Sequence, residues 1–342
     1  MIGAVKGHRT RGDMRKCWAA GVTSMLGLFL LCGAAPAAGE NPPADDPPPD
    51  WAYVIYQKAA DPGPKAGQVT VPGSRIHLAP DQLDDPFGAR DWFPNDHPAM
   101  PEAVAHGHAQ APKLASCSRC HLATGAGEPD NAALAALPAD YIVAQVNEFR
   151  AGRRGCAVPR AAACRNVMMK MALAASDTEV RASADYFSRL RYRSRIKVVE
   201  AAMAPKTAVM GFFLARATGG GEQALGQRIL ELPDDLAAFD AGDWRSPITA
   251  YAPPGSVARG RALVRSGAGA APCGGCHGAR LQGTLFAPPL AGRSPSYLVR
   301  QLYDMQYGFR GGPAAAPMAQ ELAHLGAQDR IAIAAYLASL RP

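Results

Sequence analysis

Two five-residue stretches carry the chemistry of this chain: Cys117-Ser-Arg-Cys120-His121 and Cys273-Gly-Gly-Cys276-His277. Both read C-x-x-C-H, the spacing at which two thiols add to the vinyl groups of one porphyrin as thioethers. The histidine that follows is then held under the iron as an axial ligand. Two intervening residues let both sulfurs reach one porphyrin edge from a single helical turn, and the same turn aims the imidazole. A redox C-x-x-C would need a βαβ pattern around it, and a zinc site would need further thiol or imidazole ligands beside each motif. Neither is visible in the sequence. Cys117, Cys120, Cys273 and Cys276 are therefore expected to hold two covalently bound haem c groups, with His121 and His277 as ligands to iron.

A methionine thioether is the expected sixth ligand. It is soft and neutral, favours ferrous iron, raises the potential relative to bis-histidine ligation and closes the iron to other molecules. Met318 follows Pro317 in what reads as a loop; the other methionine downstream of His277 is Met305, mid-helix. In the first half Met168, Met169 and Met171 compete. Met318 lies 18 residues before Tyr336 and Met168 lies 18 before Tyr186, which selects Met168. Met169 and Met171 read as core fillers. His97, His106 and His108 read as ordinary loop histidines.

The elements that position these groups occur twice. His121 is followed by Tyr141, Gln145 and Gly152, and His277 by Tyr297, Gln301 and Gly308, at a constant offset of 156 positions. Between Met168 and Met318 the offset is 150, so the first copy has six extra residues before its methionine. Each copy reads as a motif helix, a middle helix (Pro138 to Arg150; Pro295 to Tyr307), a methionine-bearing loop and a C-terminal helix. Ser176-Asp-Thr-Glu179 is a capping-box pattern opening one C-terminal helix, with Val180, Ala184, Phe187 and Leu190 on one face. Gln328 to Leu340 is its counterpart, with Ile333, Leu337 and Leu340 inward. No strand pattern falls within either copy.

The remainder frames the copies. Arg9, Arg11, Arg15 and Lys16, the apolar run Val22 to Leu31 and the small residues Ala35-Pro36-Ala37 read as a secretory signal peptide over 1–37, which directs the protein to the periplasm. Residues 38–50 read as a Pro-rich tether. Residues 51–111 form a turn-rich N-terminal arm, in which Trp51 to Tyr56 is a short-strand candidate and Trp92 and Phe93 are set to pack on the first haem domain. Residues 112–197 and 255–342 are the two haem domains. Residues 198–254 join them as a strap in which a short β-hairpin is plausible, and no Ser/His/Asp set or paired-carboxylate pattern can be argued from it.

Net charge argues against a polyanion partner. The chain carries +7, of which the leader holds five basic residues against Asp13, leaving +3. Four ionised propionates on two haems bring that to about −1, and no basic stripe with interleaved aromatics exists, so nucleic acid binding is unsupported. Cys156 and Cys164 remain in the longer loop of the first copy, where export makes a disulfide plausible.

Taken together, Cys117–His121 with Tyr141, Gln145, Gly152 and Met168, and Cys273–His277 with Pro288-Pro-Leu-Ala-Gly292, Tyr297, Gln301 and Met318, resemble the tandem dihaem class I cytochromes c of the cytochrome c4 type. The resemblance covers about residues 112–195 and 255–342. It implies a mainly α fold: two small cytochrome c-like helical haem domains in tandem, outside which lie the irregular arm and the strap. It implies His/Met ligation at Met168 and Met318, and single-electron transfer in the periplasm rather than catalysis. The partners implied are redox proteins (a dehydrogenase donor; an oxidase or other cytochrome as acceptor), with peripheral membrane association only through such a partner. The first copy departs from the pattern where Ala132 stands at the position of Pro288. The rival expectation is a dihaem oxidoreductase of thiosulfate dehydrogenase or peroxidase type, with one open or thiolate-ligated haem.

Overall fold

A computed structural model describes residues 44–56, 67–158 and 167–342. The signal peptide, Cys164 and the first part of the tether lie outside the described residues. The fold is mainly α, with strands confined, among the described residues, to 196–252.

In the first repeat, α3 (Cys117–His121) carries the motif, and α4 (Ala139–Arg150), α5 (Val167–Ala174) and α6 (Asp177–Arg189) follow. The sequence sets their ends. Pro138 precedes α4, and Gly152 just beyond it takes φ 68°, a left-handed conformation that suits glycine. At α6 the Ser176 hydroxyl accepts from Glu179 N, and the Glu179 carboxylate accepts from Ser176 N at 2.7 Å, closing the capping box. Val180, Ala184, Phe187 and Leu190 are all buried, as the helical spacing requires. In the second repeat, α9 (Gly274–His277) is followed by α10 (Pro295–Gln306), α11 (Ala316–Leu322) and α12 (Ala327–Ser339). Ser294 caps α10, and Ile333 and Leu337 face the core while Leu340 packs at its edge. Met318 belongs to the first turn of α11, where Pro317 sits, and not to a loop: proline fits the start of a helix because its missing N–H has no partner to lose there.

The second repeat has an extra helix, α8 (Ser256–Ser266), crossing α12. The crossing is tight at Gly260, where a Cβ would collide with the Ala332 carbonyl and the Tyr336 side chain. Among the described residues the first repeat has no such helix. Its place beside the motif is taken by the arm, whose short helix α2 (Glu102–Ala105) packs on α3 and α6. Upstream in the arm is α1 (Pro80–Asp84), and Trp92 and Phe93 are buried with Leu122, Ala123 and Trp244.

Two expectations for the framing segments need correction. Trp51 to Tyr56 forms no strand: Asp50–Ala52 is a 3-10 turn, and Ala52 and Tyr53 are buried in the core of the second repeat. An aromatic β-like pattern here serves one-sided packing on a helical domain, which needs no strand partner. The strap holds more than a hairpin. A three-stranded sheet orders β1 (Ile196–Glu200), β7 (Ile248–Ala252) and β6 (Leu230–Pro233), with β1 parallel and β6 antiparallel to β7. β2 (Met203–Pro205) pairs with β5 (Glu222–Ala224), and β3 (Thr207–Met210) with β4 (Phe213–Arg216). The parallel β1–β7 pairing is non-local, so no turn signal announces it. Between β6 and β7 sits α7 (Leu236–Asp240). The tether is also not free along its described part. Asp46 pairs with buried Arg330 at 2.5 Å and accepts from the Tyr307 hydroxyl, while its carbonyl accepts from Tyr303. Among the described residues, no helix is long and apolar enough to cross a membrane.

Candidate functional site

The two motifs are built alike. His121 donates from Nδ1 to the Ala132 carbonyl at 2.8 Å, and His277 from Nδ1 to the Pro288 carbonyl at 2.8 Å. That bond fixes the tautomer, leaves Nε2 as the free base and holds the ring's orientation. Burial holds both imidazoles below their usual range and hence neutral, the form a metal needs. His277 Nε2 is buried with no partner of its own. A buried unpaired nitrogen is costly unless something is meant to meet it.

Because the accepting group is a backbone carbonyl, alanine in place of proline at 132 changes nothing in this contact. The loop that delivers it is the same in both copies. Gly127 N donates to His121 O and Gly283 N to His277 O; Leu134 and Ala135 donate to Gly125 O, and Leu290 and Ala291 to Leu281 O. Three left-handed positions hold glycine in one copy and a larger residue in the other: Leu122 against Gly278, Ala136 against Gly292, and Leu281 against Gly125. Leu122, at φ 63° and ψ 155°, occupies a conformation nearly confined to glycine, and its equivalent is Gly278 at φ 81°. Leu122 is buried among Trp92 and Trp244, which hold it there.

The thiols differ in setting. Burial raises the Cys117 thiol and pushes Cys120 up to about 11. A thioether carries no charge to desolvate, so these positions suit thioethers better than thiolates. Ser116 and Ser118 are buried, the latter 3% exposed. The arm lies over this helix: Arg119 donates to Leu83 O at 2.6 Å, Ser116 N to Pro86 O, and Arg90 to Arg119 O. In the second copy Gly275 and Cys276 are exposed. Beside them the turn Thr284–Ala287 presents Leu285 and Phe286, 89% and 94% exposed.

Of the methionines, Met318 packs on the same core as Cys273 and Leu290. Met168 is half-buried in the first turn of α5. Met171 is engaged elsewhere, its sulfur 3.4 Å from Ala115 N. His97 bonds Asp91 at 3.1 Å and the Pro98 carbonyl, and His108 the Gln110 carbonyl, consistent with loop roles. Cys156 is disulfide-bonded.

Sequence reasoning missed one feature, a pair of arginines at the seam between the repeats. Arg154 donates to Gln145, Tyr297 and Gln301; Arg310 donates to Gln301, Tyr141 and Gln145. Each arginine reaches across to the tyrosine of the other repeat. The backbone around them pairs reciprocally, Gly155 N to Phe309 O and Gly311 N to Arg153 O. Both arginines follow their motif histidine by 33 positions, so the repeat itself carried the signal. Burial pulls Arg154 below its ordinary range, whereas the nearby tyrosines and Asp304 raise Arg310. Neither makes an ion pair with a carboxylate among the described residues. Two guanidiniums thus share four side chains that carry no carboxylate, and their hydrogen bonds go to tyrosine and glutamine oxygens.

Residues 257–341 match the cytochrome c family. No curated protein matches the chain. Among solved structures it is similar to the thiosulfate dehydrogenase TsdBA of Marichromatium purpuratum in its as-isolated form (28% identity, 67% of this chain, TM-score 0.42). This chain spans 37% of that protein's length. It is similar also to reduced recombinant cytochrome c4 from Pseudomonas stutzeri (22% identity, 66% of this chain and 93% of that one, TM-score 0.42). A third likeness is the cytochrome c4 of Acidithiobacillus ferrooxidans (19% identity, 66% and 98%, TM-score 0.43).

Proposed function

Residues 257–341 being a cytochrome c domain, and 112–197 repeating its motif and loop, we propose that the protein is a periplasmic dihaem c-type cytochrome that passes single electrons, as a shuttle or as the electron-accepting subunit of a dehydrogenase. The observation that carries this is the doubled histidine clamp: in both copies a motif histidine is locked at Nδ1 by the same loop carbonyl, with its ring buried and neutral.

Bound haem supplies the one-electron iron couple. The chain's residues do the rest. Cys117, Cys120, Cys273 and Cys276 anchor the two groups covalently. His121 and His277 present Nε2 to iron. Met168 and Met318 would be the thioether ligands to the two irons, which would let electrons pass and leave no place for other molecules to bind. Arg154 and Arg310, with Tyr141, Gln145, Tyr297 and Gln301, would supply charge and hydrogen bonds to haem propionates. Redox proteins are the partners, and membrane association is peripheral and through them.

The test is the spectrum and redox titration of the wild type beside Met168→Ala and Met318→Ala. Two low-spin haems with the weak methionine-sulfur charge-transfer absorption are expected. Each variant is expected to lose that absorption for one haem, lower its potential and open it to carbon monoxide. A resting high-spin haem, or rapid carbon monoxide binding by the reduced wild type, selects the dihaem oxidoreductase reading instead.

A further inference from the structure

A small pocket of about 10 Å³ lies where the arm, the first repeat, the strap and the second repeat meet. That is room for one water molecule. Trp51 and Ala52 of the arm, Phe213 of β4 and Ile229 give it apolar walls. Its polar lining is Asp130 and Glu231, with Ser296 and Arg300.

Glu231 is 5% exposed and unevenly served. Its Oε1 accepts from Ser294 Oγ, Ser296 N and Ser296 Oγ at 2.6–2.7 Å, whereas Oε2 is buried with no partner. Arg300 does not meet this need, because its guanidinium donates to the carbonyls of Ala52 and Pro129 at 2.6 and 2.7 Å. An unserved buried carboxylate oxygen calls for a donor. The other acid on the cavity wall is Asp130, and protonated it offers an O–H that can serve this oxygen.

Asp130 is also tied to the first motif. It lies in the turn Glu128–Asn131, within the loop that runs from His121 to Ala132, whose carbonyl holds His121 Nδ1. The equivalent turn of the second copy carries Leu285 and Phe286 in solvent, so of these two turns it is the first copy's that brings a carboxyl to the cavity.

We propose that Asp130 and Glu231 form a proton-binding site that takes up a proton when the first haem is reduced and releases it on oxidation. This rests on the haem-binding reading above. The physical basis is charge: oxidation adds one positive charge to the haem, which favours the carboxylate form nearby, and reduction removes it. Burial, opposed by Arg300 and reinforced by Glu128 and Glu231, pushes Asp130 up to about 8, so that its proton is exchangeable near neutrality. Arg195, near both Glu128 and Glu231, is the other charge facing the site. The arm and β4 contribute only apolar groups to the cavity lining.

The sign follows. With a higher proton affinity in the reduced state, the potential falls as pH rises through the window around 8. The limit is about 59 mV per tenfold change in proton concentration for one electron and one proton. The experiment is potentiometric titration of both haems across about pH 6 to 10, in the wild type, Asp130→Asn and Glu231→Gln. One haem is expected to show the slope and Asp130→Asn to abolish it, leaving the other haem unchanged. Glu231→Gln is expected to move the window to lower pH, since a repelling acid is gone. Redox-difference infrared spectra are expected to show a protonated carboxyl band gained on reduction and missing from Asp130→Asn. A wild-type slope that survives in Asp130→Asn, or two potentials flat across the window, would overturn the proposal. The haem spectrum recorded in the same cell tests the underlying reading separately.

Discussion

At the scale of single residues, the groups that bind were the easiest to read and the groups that tune were not. Cys117, Cys120, His121 and their counterparts sit in contiguous motifs, so adjacency in sequence is adjacency in space. Arg154, Arg310, Asp304 and Glu231 act across the seam, and their partners lie far off in sequence. Asp304 shows what such residues do. It accepts from the Tyr53 hydroxyl at 2.7 Å and from Ala157 N at 3.0 Å, joining the arm and the first repeat to α10. Burial pushes its carboxyl up to about 6. The folded protein therefore holds this proton more tightly than the unfolded chain, whose aspartates titrate near 3.8. The group's stabilisation is complete below about pH 4 and is lost as pH rises through about 6, an effect on the order of 3 kcal/mol. Denaturation of the holoprotein across this range is expected to show that loss in the wild type. Asp304→Asn, which keeps both acceptor contacts, is expected to remove it.

At the scale of elements, helix ends and faces in the repeats were legible because caps and periodicity are local. The Ser176 box and the Val180-Ala184-Phe187 face appear where the spacing put them. The strap's sheet was not legible, since β1 and β7 pair in parallel across about fifty residues of chain and neither strand shows an alternation of its own. The α8–α12 crossing was likewise hidden, because a glycine mid-helix reads as weakness until its neighbour is known. Gly260→Ala in an exposed helix would be worth about 0.5–1 kcal/mol of stability. Here the added methyl meets the Ala332 carbonyl, and thermal denaturation is expected to show a loss of about 2 kcal/mol instead. The tether's hold on α12 is a second such case. Asp46→Ala strands buried Arg330 and is expected to cost about 3 kcal/mol, measurable by denaturant titration. Replacing both partners with apolar residues is expected to restore most of it.

At the scale of the whole molecule, the two motifs are alike inside and unlike outside. The first motif helix lies under the arm, while the second keeps Gly275, Cys276, Leu285 and Phe286 in solvent. Exchange of electrons with other proteins is expected to run through the second face. Leu285→Ser with Phe286→Ser is expected to slow reaction with a redox partner while leaving both haem spectra and potentials in place. Equal loss after substituting arm residues over the first motif would show that the cover is no barrier. The crossed arginines have a consequence of another kind. Each repeat lends its guanidinium to its sibling's tyrosine, so a chain severed at the strap would yield two halves each missing a hydrogen-bond donor. The two repeats are expected to stand or fall together.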